Sequence, residues 1–364
     1  MQLLNNISAS KTREDNWMEH QPPFTVNRKN EHIQICLSEN VNFSGITNGF
    51  ENWKFKHCAM PELDFSEINI STSWLDKAMK SPFLVSSMTG GSEQTFEINK
   101  QLAIAAEERG WAIGLGSIRV ALEQPELLYT FQLRKQAPSI PIIANIGMVQ
   151  LNYQLQPEQL FHIIEQIEAD ALVLHLNAMQ EIFQPEGDKN FKGLWNKLEQ
   201  LVRHAPIPVG IKEVGFGIDG EHAKRFTDIG VAFIDVAGAG GTSWIEVEKH
   251  RARSSIERKA ADAFKDWGNS TAQCIVDARE VAGSSHKLIA SGGMSNGVDA
   301  AKAIALGADY IGFGRILLSD AVYNDQQSLQ ARMEQLEFEL KAAMFGIGAQ
   351  SLLQLKQTKR LIKK

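Results

Sequence analysis

Lys287–Arg315 reads KLIASGGMSNGVDAAKAIALGADYIGFGR, and its pattern decides the fold. An apolar run, Leu288-Ile289-Ala290, ends in Ser291-Gly292-Gly293; an amphipathic segment follows from Val298 to Leu306; a second run, Tyr310-Ile311, ends in Gly312-Phe313-Gly314. This is strand, glycine turn, helix and strand again. Paired backbone N–H groups beside a helix N-terminus, with no Cβ in the way, make a seat for a phosphate. A single glycine turn would be no more than a tight turn. Two in succession point to phosphate binding, and in a (β/α)8 barrel they close strands 7 and 8, where cofactor phosphates sit.

Upstream, the same grammar repeats. Short apolar runs ending in small or polar residues start at Phe83, Ala112, Pro141, Ala171, Pro208 and Phe233, with helix-like stretches between them. Together with the last two they predict eight parallel strands, hence an α/β fold, a single TIM barrel rather than an open sheet. Ile98 to Arg109 carries an apolar stripe that stops at Gly110. The widest interval, Gly240 to about Val276, predicts an elaborated loop after strand 6 on the active face. Four segments follow: a polar arm over 1–26, an extension over 27–82 that contributes basic residues, the barrel over 83–320, and a helical segment over 321–364. In the last, Leu329, Met333, Leu336, Leu340 and Met344 recur at helical spacing, as core or as a subunit contact that would make a homo-oligomer.

Of 364 residues, 43% are hydrophobic and 22% charged, enough for one large core, and the net charge of −6 with no long basic run argues against a nucleic-acid partner. An anionic substrate therefore needs a local basic cluster. Asn27-Arg28-Lys29-Asn30-Glu31-His32 offers one, with Arg28 and His32 four apart on one helical face. The three cysteines, Cys36, Cys58 and Cys274, have neither disulfide nor zinc spacing, and no long apolar run is present; a cytoplasmic protein without a membrane span is expected.

Barrel chemistry sits at the C-terminal ends of the strands. Thr89, Ser117, Asn145, Lys212 and Thr242 would ring the mouth below the phosphate seat. That list suits a flat ring system with polar edges and a phosphate, such as flavin mononucleotide, FMN, where a lysine beside N1 stabilises the anionic reduced form. After strand 4, His175 and Asn177 alternate on one face, with Gln180 in reach. Glu181 is the candidate Mg²⁺ ligand, because one carboxylate plus diphosphate oxygens and waters commonly holds that ion.

These motifs together resemble the type 2, FMN-dependent isopentenyl diphosphate isomerases. The resemblance runs from about Asn27 to Leu317 and rests on Arg28-Lys29-x-Glu31-His32, Ser87-Met88-Thr89-Gly90-Gly91, Gly116-Ser117-x-Arg119, Ala144-Asn145-Ile146-Gly147, His175-Leu176-Asn177 with Gln180-Glu181, Lys212-Glu213-Val214-Gly215-Phe216-Gly217, Gly238-Ala239-Gly240-Gly241-Thr242-Ser243-Trp244 and Ser291-Gly292-Gly293. It implies FMN contacts from Ser87, Met88, Thr89, Ser117, Asn145, Lys212, Thr242, Gly292, Gly293, Met294, Phe313 and Gly314. It implies a diphosphate held by Arg28, Lys29, Ser117 and Arg119, with His32 and Asn177 nearby and a contact at Ile118. Gln180 would touch substrate and Glu181 would bind Mg²⁺. The chain departs from the family at Ile118, which replaces a usual glutamine and leaves only a backbone contact, and at Phe313-Gly314-Arg315, which is bulkier than usual.

The activity implied is a 1,3-proton shift between isopentenyl and dimethylallyl diphosphate, assisted by Gln180, His175, Asn177 and Lys212, with the flavin reduced by NADPH although the net reaction is not redox. One rival is an FMN oxidoreductase of the 2-hydroxy acid oxidase kind, echoed by His250-Arg251, although that pair lies off the strand ends. Another is a non-catalytic flavin-binding barrel.

Overall fold

The computed structural model describes residues 24–153 and 155–364. Most of the arm expected over 1–26 therefore lies outside the described residues, and from Phe24 the chain is helical. The eight barrel strands are β1 (Phe83–Val85), β2 (Ala112–Ser117), β3 (Ile142–Gly147), β4 (Ala171–Leu176), β5 (Val209–Glu213), β6 (Phe233–Asp235), β7 (Lys287–Ala290) and β8 (Tyr310–Phe313). All pair in parallel and close on themselves: Ile311 of β8 faces Phe83 of β1, and Lys287 of β7 faces Phe233 of β6.

Strand side chains alternate, so one set fills the barrel and the other meets the helices. The inner set makes a cluster of Leu84, Ala112, Ile143, Val173, Phe233, Ile289 and Tyr310. On β5 the place is held by Gly210, because a Cβ there would lie 2.1 Å from the Phe233 ring. A hairpin of Thr72–Trp74 and Lys77–Met79 plugs the N-terminal end: Trp74 stacks on Tyr310 with ring centroids 4.6 Å apart. One layer further up, the same parity brings Ser86, Asn145, His175, Lys212, Asp235 and Ser291 to the mouth. A barrel sealed by aromatics below and lined by polar groups above has one usable end.

The expected loop after β6 is elaborated largely as helices, Trp244–Arg251, Ser255–Ala261 and Thr271–Ala282. Ser243 and Ser254 start the first two by accepting the N–H groups of Glu246 and Glu257. At the other end, helix Gln326–Phe345 buries all five of Leu329, Met333, Leu336, Leu340 and Met344 in the main core. These residues serve the fold of this chain itself.

Candidate active site

A cavity of about 590 Å³ opens at the C-terminal end of the barrel. Its floor is the polar layer. His175 Nδ1 lies 2.9 Å from Asn145 Oδ1, so the ring proton belongs on Nδ1 and Nε2 is left as an acceptor. Burial, reinforced by Lys212, Arg28 and Lys29, pulls His175 down to about 3. It is a neutral imidazole at physiological pH and no proton donor there. Lys212 Nζ donates to the Glu213 carbonyl at 2.5 Å and stands 3.9 Å from Asp235. Glu213 itself fastens the turn after Lys212, its Oε2 accepting N–H groups from Val214 and Gly215 at 2.6 and 2.7 Å.

The wall over β7 and β8 is backbone. Gly292 and Gly293 take φ of +95° and +68°, and a Cβ on Gly292 would lie 2.0 Å from the Gly238 carbonyl oxygen. Only glycine fits that turn. Ser86 Oγ and Thr89 Oγ1, buried just past the end of β1, have no hydrogen-bond partner among the described residues. Donors of this kind, left unpaired against a glycine wall, fit the phosphate and ring edges of FMN. Ser87, Met88, Ser117, Thr242, Met294 and Gly314 also line the cavity.

The opposite wall comes from outside the barrel. The N-terminal helix Phe24–Ser38 lays Arg28, Lys29 and His32 along the rim. Lys29 donates to the carbonyls of Gly90 and Ser117 at 2.5 and 2.9 Å, and burial together with nearby Arg28 brings its pKa down to about 7. Arg119 joins them, paired with Glu123 and Asp188 at 2.6 Å each. His32 packs edge-on against Trp244.

Between rim and floor, Asn177 donates to Glu181 Oε1 at 2.7 Å, and the Asp188 N–H donates to Glu181 Oε2 at 2.6 Å. Burial raises the Glu181 pKa, outweighing the hydrogen bonds from Asp188 and Asn177 and the nearby charge of Arg28. Among the described residues no group of three or more acids, histidines or cysteines could hold a metal unaided. A single hard oxygen ligand beside a basic rim fits Mg²⁺, which readily keeps phosphate and water ligands. Gln180 donates to Glu248 Oε1 at 3.1 Å. Glu248 is fully buried, 2.9 Å from His32 Nε2 and paired with Arg251. Burial pushes its carboxyl up, but His32, Arg251 and Gln180 outweigh that and hold it below its ordinary value. With its amide oriented to satisfy both neighbours, Gln184 donates to Glu248 and accepts from Arg28.

Two predicted contacts do not face the cavity. Ile118 is fully buried in the main core, and its backbone is spent as well: its N–H donates to Asn145 and its carbonyl accepts from Ala121. Phe313 points outward from β8 into Phe83 and Trp111, while its neighbours Gly312 and Gly314 line the cavity. Ser86, Gln184, Asp235 and Glu248 are not among the predicted residues, and Arg251 enters the sequence reading only with His250, as the echo of an oxidase. Ser86 needed only the parity of β1; the others depend on contacts across the fold.

Residues 144–362 match the sequence model of the FMN-dependent dehydrogenase family, which sets the chain among FMN-dependent barrel enzymes. The fold is shared with a Pediococcus acidilactici protein described as a lactate oxidase, at a TM-score of 0.64 and 16% identity over 87% of this chain and 84% of that one. A mandelate oxidase structure gives 0.63 and 18% over 97% and 98%. Much nearer in sequence are proteins named isopentenyl-diphosphate delta-isomerase. That of Oceanobacillus iheyensis is 52% identical over 92% of this chain and 95% of its own. Those of Nostoc sp. and Rickettsia bellii reach 46% and 44% over 92% and 91% of this chain and 95% and 96% of theirs. The chain belongs to the isopentenyl-diphosphate delta-isomerase family.

Proposed function

We propose that this site interconverts isopentenyl and dimethylallyl diphosphate by moving one proton on and another off across three carbons. The observation that carries the reading is the two-walled cavity: a basic rim of Arg28, Lys29 and Arg119 faces a glycine and hydroxyl wall suited to FMN, and both line one space. A substrate bearing its own diphosphate needs a second anion site apart from the cofactor's, and the rim supplies it.

Arg28, Lys29, Arg119 and Ser117 would hold the diphosphate, with His32 beside them. Glu181 would share Mg²⁺ with the diphosphate oxygens and so fix the alkene. Bound in its reduced form, FMN supplies an electron-rich face and proton donor and acceptor groups beside that alkene. Lys212 would stabilise negative charge on the bound cofactor, and His175 with Asn145 would offer oriented hydrogen-bond partners without adding charge. Gln180, tied to Glu248 and Asn177, positions the reacting carbons and can pass a proton along its amide; a carboxamide is no strong acid. Trp244 and Val214 line the cavity and help keep water from the positive charge that develops on the alkene. NADPH is the reductant that fits this scheme, and a soluble diphosphate the partner; the described helices include none long and apolar enough to cross a membrane.

The His250-Arg251 pair that echoes an oxidase lends that reading no support, because Arg251 is committed to three protein carboxylates and does not line the cavity. The test is anaerobic incubation of the Mg²⁺-supplied, FMN-reduced protein with isopentenyl diphosphate, and in parallel of the oxidised protein with lactate or mandelate. Dimethylallyl diphosphate from the first and no flavin reduction in the second is the expected pair of results. The reverse pair would put the oxidase in its place.

A further inference from the structure

The arginine of the His250-Arg251 pair is put to another use. Arg251 closes helix Trp244–Arg251, its side chain 8% exposed. Nε donates to Glu31 at 2.7 Å, Nη2 to Glu186 at 2.7 Å and Nη1 to Glu248 at 2.7 Å. The three acids belong to three segments: the N-terminal helix, the turn after helix Ala178–Phe183, and the helix of Arg251 itself. Each adjoins the candidate site. Glu31 shares a helix with Arg28, Lys29 and His32; Glu186 precedes Asp188, the partner of Arg119; Glu248 receives Gln180. A guanidinium presents its donors in one rigid plane, so three carboxylates around it are held at fixed angles, which a lysine cannot do. Removing it would leave a fully buried carboxylate, a partly buried one and a half-exposed one facing one another with no guanidinium between them.

We infer that Arg251 is a positioning residue for the substrate diphosphate: it docks the N-terminal helix over the barrel mouth and thereby sets Arg28, Lys29 and His32 at their places on the rim. It acts through those residues, since the cavity lining does not include it. The inference rests on the rim being the diphosphate site.

The test uses FMN-loaded protein and inorganic pyrophosphate with Mg²⁺ as the probe, with affinity read by calorimetry and FMN content by absorbance. Arg251→Met is expected to weaken pyrophosphate roughly 10- to 100-fold, as loss of an outer-shell partner commonly does, and to raise KM for isopentenyl diphosphate while FMN stays bound. Arg251→Lys recovers part of that loss. Glu31→Gln, at the half-exposed end, gives a smaller loss in the same direction and carries the test by itself if Arg251→Met fails to fold. Arg28→Met serves as reference. If it loses pyrophosphate while the Arg251 and Glu31 variants stay within twofold of wild type, this inference is overturned and the diphosphate reading stands. If Arg28→Met also binds normally, both fall.

Discussion

Lys212 and Glu181 line different parts of the cavity, and each can be tested apart from the other. In the proposed function Lys212 favours the reduced, anionic flavin, so Lys212→Ala should weaken reduced FMN more than oxidised FMN. A tenfold difference corresponds to about 30 mV for a two-electron couple, and titration of both forms measures it. Glu181→Gln should abolish Mg²⁺-dependent turnover yet retain FMN; wild-type activity across a Mg²⁺ titration would dismiss the assignment. Lys29 links the site to pH. Its pKa falls from an ordinary 10.5 to about 7, so between those values the unfolded chain holds a proton that the folded one lacks. Folded stability therefore rises with pH across that window, while diphosphate binding, which needs the charged amine, weakens as pH climbs through 7. Pyrophosphate binding at pH 8 should take up close to one proton, seen by calorimetry in buffers of different ionisation enthalpy, and Lys29→Met should abolish the uptake.

At the scale of elements, the strand ends were readable because a barrel leaves each strand only one place to put its last residues. Ser117, Asn145 and Lys212 follow from that geometry. Phe313 shows the limit: a motif match ignores strand parity, and one position along β8 exchanges the cavity for the Phe83 and Trp111 side. Phe313→Leu should accordingly lower thermal stability, by about 1 kcal/mol or somewhat more, and leave FMN affinity unchanged. A selective loss of FMN would return the residue to the cofactor site. Two Ser-x-x-Glu patterns, at Ser243 and Ser254, announce the helices that replace the expected loop after β6. What they could not announce is where those helices dock. Glu248 meets Gln180 across 68 residues and Arg251 meets Glu31 across 220, and such pairings come from the closed barrel alone.

For the whole molecule, the division of labour follows the barrel axis. Trp74 and its hairpin stop the lower end, the inner aliphatic and aromatic layer carries stability, and the polar layer and rim carry chemistry. The N-terminal extension thus belongs to the candidate site, because it supplies Arg28 and Lys29 to the rim. The central claim is that a flavin barrel with this second anion site catalyses proton movement without net redox change. It is tested most directly by anaerobic proton NMR in D₂O, with isopentenyl diphosphate, Mg²⁺ and FMN, in paired samples with and without NADPH. Dimethylallyl diphosphate and deuterium incorporation in the reduced sample alone, with no stoichiometric consumption of NADPH, is the predicted result. No conversion in a sample whose spectrum shows bound, reduced FMN would contradict it.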